Sequence, residues 1–191
     1  MPKRALPVLA AVMAAAFVAQ PQQARTQEVV PTIRGDMNTL AAKGLLANSD
    51  EDFIKHAARA GALEIQAATL AMTKASNPGL KAFAQRLVND HTATAQQVAQ
   101  WATKKNVLLK DDDPDVKIKM DRYQSLQTKT GAAFDKEFLE HMISDHRDAI
   151  VLFSNEARNT KDAGLRTFAR ETLPTIRAHL KMAWDLNATS F

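Results

Sequence analysis

Glu64, His91, His146 and His179 stand on stretches whose periodic pattern is otherwise apolar. A buried carboxylate is costly unless a partner compensates it, and imidazoles at the same depth suggest what that partner could be. Three histidines and one glutamate form a donor set suited to a single transition metal ion: zinc, iron, manganese or copper. The same groups could instead form a buried hydrogen-bond network, with Glu64 accepting from protonated imidazoles and Asp90 or Asp145 assisting. Both readings stand on the residues alone. Di-iron oxidase chemistry fits neither. It needs about four carboxylates and paired Glu-x-x-His motifs, and no glutamate stands three residues before any of these histidines.

Two thioethers bear on the choice of metal. Met142 lies four residues before His146 and Met182 three after His179. Sulfur beside imidazole favours copper, above all Cu(I), although methionine also fills gaps in cores. His141 and Asp145 form an i, i+4 pair expected at the surface or behind the ligands. His56, two turns before Glu64, is expected to be exposed. Trp101, Trp184 and Tyr123 are expected at the boundary of the core. The sequence has no Gly-rich phosphate loop, nucleophile elbow or zinc-protease motif. No second acid–base group is clearly placed either, so an enzymatic role ranks below a binding role.

These residues need long helices to hold them. Glycine is scarce, strand-like alternation is absent, and Ala, Leu, Lys, Gln and Glu dominate. Ser49 is a cap for a first long helix over about Asp50 to Ala75. Asn77, with Pro78 behind it, opens a second to about Lys105. A third is predicted over Gly131 to Asn159, and a fourth from the Asp162 cap to about Asn187. Pro174 inside the fourth predicts a kink or break near Thr172 or Leu173. The run Asp111, Asp112, Asp113, Pro114, Asp115 lacks the spacing and glycine of a calcium loop. It is expected to cap a short helix reaching about Thr128. Gly61 and the alanines of the first helix are expected to admit a close neighbour.

Tight turns make helices one and two, and three and four, antiparallel hairpins. Glu64 lies about as far before the first turn as His91 lies after it. His146 and His179 are matched about the second turn in the same way. At about 1.5 Å rise per residue each pair sits at one level, and helices packed about 8–10 Å apart would let all four side chains converge. The connection between helices two and three, about 25 residues, is long enough to run the length of the bundle.

Bulk properties set the context. The 191 residues carry a formal charge of +4 and no cysteine. Thiolate chemistry, iron–sulfur clusters and disulfides are excluded. Lys3 and Arg4 precede an apolar run from Leu6 to Val18, which resembles a secretory signal and is too short to span a bilayer. Residues 1–24 are therefore expected to be a signal peptide, with Ala16, Ala19 or Ala24 as cleavage points. Residues 25–48 should be an N-terminal segment, partly disordered or forming a short helix at Met37 to Leu46, and residues 49–188 the bundle domain. Removal of the signal leaves a charge of about +2, too little to argue for nucleic acid. No later segment could span a membrane. A protein partner or homodimer is left open, and the expected location is the periplasm or cell envelope.

The pieces "FAQRLVNDH", "FDKEFLEHMISDH" and "LPTIRAHL", in this order, carry a family resemblance. From about Asp52 to Leu186 the chain resembles an uncharacterised bacterial family of exported, ferritin-like four-helix proteins. That family is labelled a domain of unknown function or a predicted outer-membrane protein. The resemblance implies an all-α, ferritin-like four-helix bundle with a long crossover, containing a short helix, between helices two and three. Its pattern includes Glu64, His91, His146, Pro174 and His179. It implies no settled activity, and the outer-membrane label finds no barrel-strand pattern here.

Overall fold

The computed structural model describes Ala47, residues 49–109, Asp121 and residues 123–191. The expected signal, the Met37 to Leu46 helix and the Asp111 to Asp115 run lie outside the described residues. Four long helices account for most of the rest: α1 Asp50–Lys74, α2 Pro78–Lys104, α3 Gly131–Asn159 and α4 Ala163–Ser190. Residues 123–128 are also helical, and no strand occurs among the described residues.

Side-chain caps start three of the four. Ser49 accepts from the Asp52 amide, Asn77 from Gly79 and Leu80, and Asp162 from Gly164 and Leu165. Each satisfies amides that have no partner within the helix. Asn106 takes a left-handed φ of 54° and lets the Val107 amide reach back to the Ala102 carbonyl at 2.8 Å. This is how a helix terminates when its last carbonyls need donors. Thr130, at the start of α3, supplies no side-chain cap.

Of the kink or break expected at Pro174, the break does not occur, and α4 runs through it. Pro174 and Arg170 both lie on the solvent face, so water can serve the Arg170 carbonyl that the missing N–H abandons. α4 also extends three residues beyond the expected end, to Ser190.

The directions of the helices follow from what meets at each end. At one end Lys105 Nζ lies 2.8 Å from both Asp50 and Asp162, and the Thr160 hydroxyl donates to Asp50 at 2.7 Å. The start of α1, the end of α2, the end of α3 and the start of α4 therefore gather there. At the other end the buried Asp135 carboxylate of α3 accepts from the Ser76 amide at 3.0 Å and from the Asn77 amide at 2.9 Å. The Asn77 side chain donates to Ser190 at 2.9 Å. So α1 and α4 run one way, and α2 and α3 the other. α1 packs on α2 and α3, and α4 packs on α3 and α2. α2 therefore ends at the same end of the bundle as α3.

Glu156 adds a pH dependence at the first of these ends. It is buried, and burial together with the neighbouring Asp50 carboxylate pushes its pKa up to about 7. A hydrogen bond from Thr160 and the charge of Lys105 act in the opposite direction and are outweighed. Between its ordinary value and pH 7 the folded chain holds a proton that the unfolded chain has released, so stability falls as pH rises through that window. Glu156→Gln removes this titration. Urea unfolding should find the variant more stable than wild type at pH 8 and little different at pH 5.

The core divides into two apolar clusters. Phe53, Ile54, Val98, Phe153, Leu165 and Phe168 belong to the one nearer the Lys105 end. Leu80, Phe83, Leu87, Phe134, Phe138 and Met142 belong to the other. Edge-to-face contacts at 5.0 Å and 6.4 Å join Phe53 to Phe153 and Phe168. The polar residues singled out above fall between these clusters, where apolar packing on both sides holds their helices.

Candidate metal centre

Each helix contributes one of the four expected side chains to the middle of the bundle. Glu64 comes from α1, His91 from α2, His146 from α3 and His179 from α4. Glu64, His146 and His179 are buried, and His91 is nearly so, its side chain 13% exposed. The three imidazoles form a triangle with ring centroids 5.3–5.5 Å apart. One ring nitrogen from each lies within 4.8 Å of the others. Glu64 stands at the edge of this set, its Oε2 2.9 Å from His91 Nε2. The contact is close but poorly aligned, and His91 Nε2 has no partner at hydrogen-bonding geometry.

The hydrogen bonds fix which nitrogens carry protons. His146 Nδ1 lies 2.9 Å from the Met142 carbonyl oxygen. A carbonyl can only accept, so Nδ1 donates and Nε2 of the neutral ring is a lone pair. His179 Nε2 lies 2.8 Å from Asp90 Oδ2. Burial acts to raise the Asp90 pKa, but its hydrogen bonds to His179 and Arg86 outweigh it and lower it. Asp90 is thus a carboxylate acceptor, and His179 Nδ1 is a lone pair too. The two lone pairs face each other at 3.3 Å.

Two acceptors this close need something positive between them. A proton is disfavoured on either ring. Burial lowers the pKa of His146 and, despite Asp90, brings that of His179 down to about 4. His91 differs. Burial pulls its pKa down, but the Glu64 charge overrides this and raises it. A metal ion about 2.0–2.1 Å from two nitrogens in a tetrahedral arrangement holds them about 3.3 Å apart. The observed separation and the incompletely satisfied His91 nitrogen both fit such an ion.

A cavity of about 100 Å³ opens beside the cluster, bordered by Glu64, Asp90, His91, Asp145, His146 and His179. His56 also lines it, so this residue is half-buried rather than exposed as expected, with a buried Nδ1 that lacks a hydrogen-bond partner among the described residues. Gly61 borders the same space, and a Cβ there would meet nothing within 4 Å. The close helix approach expected at Gly61 is absent because the cavity occupies that side. Thr172 and Thr175 line it as well. Their spacing of seven and four residues before His179 was a signal the sequence offered.

Of the two places expected for His141 and Asp145, the surface is not the one taken: both are buried, and Asp145 borders the cavity beside the imidazoles. Asp145 accepts from the Tyr123 hydroxyl at 2.8 Å, and the Tyr123 and His141 rings meet edge-on at 5.9 Å. This segment before α3 folds against α3 and carries the pair inward. Trp101 packs partly buried against the core, whereas Trp184 is 37% exposed. Met142 is fully buried, and Met182 packs against the same apolar cluster.

A model of the domain of unknown function DUF4142 matches residues 36–186. The chain is a member of the DUF4142 family. Solved structures of CopM share the fold of this DUF4142 chain. CopM in its Cu(I)-bound form is 22% identical with a TM-score of 0.63, covering 76% of this chain and 99% of CopM. The Cu(II)-bound form is 20% identical with a TM-score of 0.64, covering 76% and 100%. A silver-bound form obtained by soaking is 22% identical with a TM-score of 0.61, covering 74% and 96%. At such identity the likeness is one of fold. No curated protein matches the chain. Among the described residues no helix is long and apolar enough to cross a membrane.

Proposed function

We propose that this DUF4142 chain is an exported metal-handling protein that holds one copper ion among His91, His146 and His179. The observation that carries this reading is the pair of facing lone pairs, His146 Nε2 and His179 Nδ1, 3.3 Å apart beside a third imidazole. Glu64 adds negative charge next to His91 and is the candidate fourth ligand. Asp90 stands behind His179, Asp145 borders the adjoining cavity, and Met142 and Met182 would bias the site toward the softer Cu(I) if their sulfurs reach it. The copper- and silver-bound CopM structures support the choice of metal. The signal-like residues 1–24 support export to the envelope, with a metal-handling or stress-protective role there. The antiparallel hairpins joined by a long connection support a ferritin-like bundle over residues 49–188.

A metal-free network is the competing reading, favoured by the close Glu64–His91 and Asp90–His179 contacts. It does not relieve the two facing lone pairs. Equilibrium dialysis of the metal-stripped protein against Cu(I) separates the two. One tightly bound ion per chain is expected, with loss of that ion in a variant replacing His146 and His179 by alanine. Retention of no copper by the wild type would overturn the proposal.

A further inference from the structure

The ring nitrogens that would hold a metal here are not equivalent, and one helix determines the difference. We propose that Asp90 is a positioning residue that makes His179 bind metal through Nδ1, while His146 binds through Nε2. This rests on the metal-binding reading above and deepens it.

Hydrogen-bond donors and acceptors assign the nitrogens. His179 has two nitrogens, and one is hydrogen-bonded to a carboxylate 2.8 Å away, donated by Nε2 to Asp90 Oδ2. That leaves Nδ1 as the nitrogen with a lone pair, and Nδ1 is the atom turned toward His146. For His146 the assignment is reversed. Its Nδ1 is occupied by the Met142 carbonyl of its own helix, one turn back, so Nε2 faces the cluster. A carboxylate or carbonyl behind a ligating imidazole fixes its tautomer and orientation and raises its basicity. His146 takes its orientation from within α3. His179 takes it from a different helix, since Asp90 lies on α2. Asp90 is in turn held by Arg86 one turn before it, at 3.3 Å.

Asp90 is the immediate neighbour of His91. Two consecutive residues of α2 therefore do two jobs. His91 meets Glu64 of α1 and offers a nitrogen to the cluster, while Asp90 orients the ligand on α4. The cluster depends on the seating of α2 twice over, and a shift of that helix would disturb His91 and His179 together.

Long-range ¹H–¹⁵N correlation spectra of histidine-labelled protein, with and without Ag(I), test this directly. Silver(I) is diamagnetic and stands in for Cu(I). In the wild type, His146 Nε2 and His179 Nδ1 should shift on silver addition, while His146 Nδ1 and His179 Nε2 keep their protons. Asp90→Ala should lose the exclusive Nδ1 pattern at His179 and weaken silver binding about 10- to 100-fold. Asp90→Asn keeps an acceptor oxygen and should preserve the Nδ1 pattern. Silver bound to His179 through Nε2 in the wild type would overturn the proposal and leave metal binding intact. An Asp90→Ala variant with unchanged pattern and affinity would also overturn it. Unchanged imidazole spectra in silver would overturn the metal-binding reading as well. Should Asp90→Ala fail to fold, the wild-type spectra alone decide which nitrogen of His179 is used.

Discussion

Copper(I) or silver(I) added to the metal-free protein at 100 times its dissociation constant is expected to stabilise the fold by about 2.7 kcal/mol. For a domain of this size that corresponds to a rise in melting temperature of roughly 5–10 °C. The reason is linkage. The donors come from three helices that are brought together only in the folded bundle, so an ion that needs all of them binds the folded state far better than the unfolded one. His179→Ala should abolish most of the increment, because it removes one of the two nitrogens set 3.3 Å apart. The increment must be measured within each variant, since replacing a buried imidazole also disturbs packing. His56→Ala is the control. His56 lines the same cavity but is not one of the three clustered histidines, and its variant should keep the full increment. Equal increments in wild type and His179→Ala would show that metal binds elsewhere. The absence of any increment with copper, silver or zinc would remove the metal from the account.

The helices were legible in the sequence because caps and turns are local. Ser49, Asn77 and Asp162 each do what their residue type and position suggest. Counting from turns of fixed length was enough to pair Glu64 with His91 and His146 with His179, which meet at 2.9 Å and 3.3 Å. What was not legible depends on the packed state. The pattern could show that His179 faces inward, but not that Asp90 of another helix would accept its Nε2 proton. It could not reveal that a main-chain carbonyl would set the tautomer of His146. The pattern left His141 and Asp145 either at the surface or behind the ligands, because their covering, Tyr123, arrives from the long connection. The helix survives Pro174 without a break for a different reason. The rule that proline breaks helices assumes that the abandoned carbonyl is deprived of a donor, and on a solvent face water supplies one.

Without metal, removing His91 should cost far more stability than neutralising Glu64. The Glu64 side chain is 4% exposed and lies 2.9 Å from His91 Nε2. His91→Ala takes away the imidazole facing a buried carboxylate, and breaking such a pair from this side costs about 3 kcal/mol. Glu64→Gln leaves behind a histidine that can shed its proton, and an amide that still offers an oxygen and a donor. Its cost at pH 7 should be about 1 kcal/mol. The pH dependence carries a definite sign. Although burial opposes it, the Glu64 charge raises the His91 pKa in the folded state. The contribution of the pair is therefore fully present below the unfolded histidine value, near pH 6.5, and is lost as pH rises through the folded value. The gap between wild type and Glu64→Gln should be widest near pH 6 and narrow by pH 9, as read from urea unfolding of metal-stripped protein. The same variant then locates Glu64 relative to the ion. If Glu64 acts only as a neighbouring charge, Glu64→Gln should keep most of the copper-dependent increment that His179→Ala loses. A loss as large as that of His179→Ala would make Glu64 a ligand. A gap that widens with rising pH would mean that His91 is neutral in the folded protein and that the contact with Glu64 is not an ion pair.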